Sequence, residues 1–335
     1  MRVAVDAMGG DHAPRVVVEG AVTAARASRL GVTLVGPADR IREELARIPD
    51  AGALDLVIVD AGDAVGMGDS PAQALRRTPR ASIKVAADLV ARGEAAALFS
   101  AGNTGATVLA ARGAFGLLPG AERPALAATV PTERGMAVLV DVGANADCRP
   151  RHLATFGVMG SVFARVAFGL ESPAVGLLSI GEEASKGNEL TREAYGLLRA
   201  SSLRFIGNVE ARDVYSGAAD VVVCDGFTGN VAIKISEGMV GMVEALLRDE
   251  FSAAQDGRGD FTPLRDAFEH LRRRVDYSEY GGAPLLGVAG VCVVGHGRSS
   301  VKAVVNAIIM AHRFAAEGLV GRLSRELAAL QGTPS

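Results

Sequence analysis

Short apolar, β-branched runs alternate along the whole chain with longer stretches of helical period, and this alternation is the tightest constraint on the fold. The runs fall at 2–6, 32–35, 54–59, 96–99, 137–142, 175–180, 203–206, 221–224 and 291–294, with the helical stretches at 15–29, 82–92, 104–115, 152–168, 189–200, 231–251 and 301–317. Apolar runs of this length bounded by turn residues read as strands buried on both faces, and strands separated by helices build parallel βα units. The expected architecture is α/β, a three-layer α/β/α arrangement around a largely parallel sheet. One catalytic unit is expected over 1–330, with room for two subdomains whose boundary the sequence leaves open. A helical hairpin at 240–280 is a candidate for membrane or partner contact, and 331–335 reads as a tail.

Composition narrows the function classes. A net charge of −3 over 335 residues gives no global basic field, so nucleic acid is not an expected partner. No uncharged apolar run reaches the roughly 18–20 residues of a spanning helix, and the first residues lack a secretory leader pattern. Cys148, Cys224 and Cys292 are far apart, without a C-x-x-C pair or zinc-like spacing, which fits a reduced, cytoplasmic setting and predicts no metal site. Glycine, at 41 residues, clusters where apolar runs end, as backbone-lined ligand loops do.

In parallel sheets ligands bind beyond the carboxyl ends of strands. Six turns there are rich in Gly, Asn and Asp, at 6–14, 100–106, 141–147, 181–189, 225–230 and 295–300, and they are expected to share one strand edge. A Gly-rich turn opening a helix offers unpaired N–H groups and the positive end of the helix dipole to an anion, although Asn103 and Thr228 also have the form of plain N-caps. The chain lacks the dinucleotide G-x-G-x-x-G, the P-loop and the G-x-S-x-G nucleophile elbow, so no cofactor and no activated serine are expected. Only four lysines stand among 35 basic residues, and two of them, Lys186 and Lys234, lie just after such loops, where an ammonium can meet an anionic substrate. His296 and Arg298 place a proton donor and a cation in one turn, and Glu182 and Glu183 are placed to orient Lys186.

The segments DAMGGDHAP (6–14), SAGNTGA (100–106), RPALA (123–127), LVDVGANADCRP (139–150), GLLSIGEEASKGNELT (176–191), NVEARD (208–213), VVVCDGFTGNVAIK (221–234), GAPLLGV (282–288) and HGRS (296–299) together resemble the PlsX family of bacterial phosphate acyltransferases over nearly the whole chain. The resemblance implies a fold similar to the isocitrate/isopropylmalate dehydrogenases and phosphotransacetylases. It implies transfer of a fatty acyl group from acyl carrier protein to inorganic phosphate, giving acyl phosphate for phospholipid synthesis. It also implies a homodimer with peripheral contact to the inner membrane face or to the downstream glycerol-phosphate acyltransferase. One departure is that 76–82 reads RRTPRAS where relatives commonly carry a lysine-rich segment ending in paired serines.

On that reading Asn103, Lys186 and His296 are the expected catalytic residues: Lys186 or Arg298 balances phosphate charge, Asn103, Asn145 or Asn230 serves the oxyanion, and His296 protonates the leaving thiolate. The expected substrate-binding set is Asp6, Gly9, Gly10, Ser100, Gly102, Thr104, Asn145, Gly226, Thr228, Asn230, Lys234 and Arg298. Beyond the 252–260 break, Leu264, Phe268, Leu271 and Val275 form an apolar stripe flanked by Arg265 and Arg272 to Arg274, suited to a membrane surface or to an acidic carrier protein. Three other functions compete: an acyl-CoA phosphotransacetylase, a dehydrogenase by fold analogy, and a catalytically silent regulator that binds phosphate or acyl groups.

Overall fold

A computed structural model of the chain describes residues 1–254 and 277–331. Among the described residues eleven strands form one sheet: β1 (Arg2–Asp6), β2 (Gly31–Gly36), β3 (Leu56–Asp60), β4 (Ala97–Ser100), β5 (Ala125–Thr132), β6 (Gly135–Val140), β7 (Val175–Leu178), β8 (Phe205–Val209), β9 (Val221–Val223), β10 (Ala283–Leu286) and β11 (Val291–Val294). The described helices are α1 (Arg15–Ser28), α2 (Ala38–Leu45), α3 (Pro71–Arg77), α4 (Ser82–Ala91), α5 (Thr104–Phe115), α6 (Pro150–Phe168), α7 (Glu189–Ala200), α8 (Gly226–Ala254), α9 (Val301–Ala316) and α10 (Leu319–Gln331). The mostly parallel α/β architecture expected from the alternation is present. Strand residues alternate between its faces: Val3 and Val5 pack in one core cluster with α1 and α9, while Ala4 packs in another with α4. The helices therefore cover both faces.

The sheet order is β3-β2-β1-β4-β11-β10-β5-β6-β9-β7-β8. Two of these strands, β5 and β10, fall outside the periodicity reading. The first is Ala-rich and holds Pro131, the second is four residues long and holds Pro284, and both features weaken a strand signal. Their presence changes the topology, because β11–β10, β10–β5 and β5–β6 all pair antiparallel. Three reversals leave β6, β9, β7 and β8 running opposite to β1, β2, β3, β4 and β11. The expectation of six loops on one strand edge is thereby corrected: those after β1, β4 and β11 belong to one half and those after β6, β7 and β9 to the other. Sheet twist of about 20–25° per strand turns the halves out of strict opposition. They meet in a direct contact, with Lys234 Nζ on α8 lying 2.9 Å from His296 Nε2 after β11.

Other differences are local. The turn-rich 62–81 segment contains α3, opened by Pro71 at its first position. Of the expected 240–280 hairpin, the first arm belongs to the 29-residue α8, while 255–276, with the amphipathic stripe, lies outside the described residues. No single described helix is long and apolar enough to cross a membrane. The bent α9–α10 pair passes that test only together, and α9 buries Val304, Ala307, Ile308, Ala311 and Phe314 in the core.

Close approach of α8 to the end of β6 requires Gly229, since a Cβ there would stand 1.9 Å from the Asp141 carbonyl oxygen. Gly229→Ala should therefore destabilise the protein by at least the roughly 1–3 kcal/mol typical of overpacking, read as a lower urea midpoint.

Candidate functional site

In the first half the loops after β1 and β4 are joined by a buried acid. Ser100 Oγ donates to Asp6 Oδ2 at 2.7 Å and accepts from Gly102 N at 3.1 Å, while Met8 N donates to Asp6 Oδ1. Burial raises the Asp6 pKa, opposed by hydrogen bonds from Ser82, Ser100 and Met8. Gly9 is dictated by this contact, because a Cβ there would lie 2.7 Å from Gly102 N and 2.9 Å from both Asp6 Oδ2 and Ser100 Oγ. Gly10 lies over the β11 turn, and Asp11 N donates to Gly297 O at 2.8 Å.

Asn103, expected to serve the oxyanion, is used differently in this conformation. Its Oδ1 caps α5 by accepting from Ala106 N, and its Nδ2 faces the carbonyls of Gly66, Met67 and Asp69 at 3.1–3.4 Å. Its side chain thus latches the 66–69 loop over the start of α5, where Thr104 is exposed. Arg80, in the altered 76–82 segment, pairs with Asp60 rather than with any loop of the site.

In the second half Asp141 is fully buried. Its Oδ1 accepts from Leu126, Gly143 and Ala144 N–H groups and its Oδ2 from the N and Nδ2 of Asn145. Asn145 Nδ2 also donates to Pro124 O, just before β5, and the Asn145 backbone carbonyl accepts from Gly226 N at the start of α8. Thr228 gives both its N–H and its hydroxyl to Asp225 at 2.8 Å, which places a carboxylate at the N-terminus of α8. Asn230 is exposed, with Nδ2 at 3.4 Å from Val142 O.

The two halves close on Lys234, Glu237 and His296. Asn230, Lys234 and Glu237 stand at i, i+4 and i+7 on one face of α8. Glu237 Oε2 is 3.0 Å from Lys234 Nζ and 3.9 Å from His296 Nε2. His296 Nδ1 accepts from Arg298 N and its own N–H donates to Ser299 Oγ, while the Arg298 side chain is exposed. Burial lowers the His296 pKa, Lys234 and Arg298 add to the fall, and Glu237 and Asp11 oppose it. Glu237 escaped sequence reasoning, although its i+3 spacing from Lys234 on a helix was the available signal.

Lys186 is exposed on the loop after β7, its N–H on Glu183 O and its side chain against Gly181. Among the described residues no hydrogen bond or ion pair joins it to Lys234 or His296. The orphaned buried atoms Ser179 Oγ and Asn208 Oδ1 lie beneath this loop, Asn208 Nδ2 holding Glu183 O. The thiols offer no nucleophile: burial pushes Cys148 and Cys292 up to about 12 and Cys224 well above its ordinary value.

Comparison with known proteins shows the family of the chain. Phosphate acyltransferases of Citrifermentans bemidjiense and Geobacter sulfurreducens are each 50% identical over 327 residues, covering 98% of this chain and 93–94% of theirs. The chain belongs to the phosphate acyltransferase family. Residues 1–322 match the family described as fatty acid synthesis protein. The chain shares its fold with a phosphotransacetylase from Streptococcus pyogenes, 17% identical with a TM-score of 0.67 over 95% of this chain and 94% of that one. A 4-hydroxythreonine-4-phosphate dehydrogenase from Klebsiella pneumoniae, 15% identical, has a TM-score of 0.51 over 94% and 99%.

Two outcomes follow from this geometry. Asn103→Ala should speed amide exchange across 64–70 and remove about 1 kcal/mol of capping, measured by hydrogen–deuterium exchange and denaturation. The His296 imidazole should titrate below 6.5 by NMR, neutral at pH 7 and protonated only as the pH falls.

Proposed function

We propose that this protein transfers a fatty acyl group from the thioester of acyl carrier protein to inorganic phosphate, releasing the carrier thiol and acyl phosphate. The observation that carries the reading is the meeting of Lys234, His296 and the Gly-rich loops in a chain whose phosphate acyltransferase relatives match it nearly end to end. The chemistry suits a site without a covalent nucleophile. Phosphate is already an anionic nucleophile and a thioester is already activated, so the protein has to supply position and charge. Lys186 and Asn230 remain the proposed contributors from the second half, where an exposed ammonium and amide can approach the thioester carbonyl.

The proposal extends to a cytoplasmic homodimer in peripheral contact with the membrane. Phe227, Val231, Ile235, Met239, Met242 and Leu246 recur every three or four residues along α8 and are 41–66% exposed. A stripe of that length is an uncommon surface for a lone soluble chain and favours a covered face.

The test is incubation of the purified protein with palmitoyl-acyl carrier protein, with and without phosphate, following free thiol and acyl phosphate, and palmitoyl-CoA as the comparison. Phosphate-dependent acyl phosphate from the carrier substrate is expected. Lys186→Ala and His296→Ala should each lower turnover by about 10²-fold with folding intact. Preference for palmitoyl-CoA would instead assign a phosphotransacetylase.

A further inference from the structure

Resting on the acyl-to-phosphate reading, we propose that Asn208 is a positioning residue for Lys186, its amide fixing, through the Glu183 carbonyl, the turn from which the Lys186 ammonium reaches the thioester. The geometry begins on β8, where Asn208 is buried and stands opposite Leu177 of β7. Its Nδ2 donates to Glu183 O at 2.9 Å, and the same carbonyl accepts from Lys186 N at 2.9 Å. A carbonyl oxygen has two lone pairs; here one serves the buried amide and the other the backbone of Lys186. The closing hydrogen bond of the 183–186 turn and the tether of that turn to the sheet therefore share one atom.

On its other side Lys186 is followed by a second anchor. Arg192 Nη1 donates to Gly187 O at 2.9 Å, and Asn188 Oδ1 caps α7 by accepting from Thr191 N. Arg192 and Asn188 belong to the helix that the loop itself enters, whereas Asn208 ties the turn to a separate strand. Among the described residues no carboxylate pairs with the Lys186 ammonium, so the reach of that side chain is set by the backbone that carries it.

An amide is a poor choice for packing alone at this place. Asn208 Oδ1 is buried without a hydrogen-bond partner, a cost that an apolar side chain of similar shape avoids. What the amide adds over such a side chain is N–H donation, and the hydrogen bond it makes goes to the turn of Lys186. Holding a charged group within the narrow range of productive positions is worth more to a reaction that relies on placement than to the stability of an exposed loop.

The experiment is steady-state kinetics of the full chain with phosphate and palmitoyl-acyl carrier protein, on Asn208→Leu, Lys186→Ala and the double variant. Asn208→Leu should lower kcat about tenfold and leave both KM values within about twofold, the split of an interaction made only in the transition state. In the Lys186→Ala background the same change should alter kcat by less than about twofold, because the group it acts through is gone. Asn208→Gln, which keeps an N–H donor, should recover part of the loss. Should the Leu variant fail to fold, Asn208→Ala takes its place. Hydrogen exchange gives a second reading: the Lys186 amide should exchange faster in the variant, while Ala194 and Leu198 in α7 keep their protection. Full kcat in the Asn208 variants, an equal fall in both backgrounds, or a normal rate for Lys186→Ala overturns the proposal. Absence of acyl phosphate from any thioester with the unaltered protein overturns the underlying reading instead, and the exchange of the Lys186 amide then decides whether Asn208 holds the turn.

Discussion

A buried carboxylate with five N–H donors, Asp141, holds the second half of this protein together. It gathers Leu126 on β5, the turn at Gly143 and Ala144, and both nitrogens of Asn145, whose carbonyl then receives the first N–H of α8. Removing a carboxylate from water costs several kcal/mol, and charge-assisted hydrogen bonds of about 1.5–3 kcal/mol each offset it. Burial still wins in direction, since the Asp141 pKa is raised above 3.8. A raised value means that the acid's contribution to stability is fullest below 3.8 and is lost as the pH rises through the folded-state value. Its five donors fix the loops around it in one geometry. Asp6 repeats the arrangement in the first half, at the end of β1, with Ser100 and the Met8 N–H as donors and its pKa raised by the same cause.

The sequence makes these halves legible and hides how they face each other. Nine strands and seven helices follow from apolar periodicity, because their runs are β-branched or keep helical spacing and end in Gly-rich turns. The two strands that escape, β5 and β10, are those that carry proline. Both lie in the middle of the sheet, and their three antiparallel pairings decide the relative direction of everything on either side. Local signals thus describe each half correctly, while the orientation between them rests on the strands whose sequence signal is weakest.

The same limit governs the site. Lys234 and His296 are each visible in the sequence as a rare lysine or a glycine-flanked histidine, but their contact spans 62 residues and depends on the reversal. Asn103 has the form of an N-cap and is one, and what the sequence conceals is that its amide group also binds the 66–69 loop. Asn145 has the form of a ligand residue, yet its side chain is committed to Asp141 and Pro124. An amide in a Gly-rich loop is equally suited to substrate and to backbone, and only the neighbours decide which it serves.

The Lys234–His296 contact joins two oppositely directed halves of the sheet. Each half carries its own buried acid at a strand end, Asp6 in one and Asp141 in the other. Reaction between an anion and a thioester asks for no covalent residue, but it does ask that a phosphate oxygen be held within about 3–3.5 Å of a carbonyl carbon. The spacing of Lys234 and His296 is set by how the halves sit against each other. The antiparallel pairings of β5 and β10 set the direction in which the two halves meet.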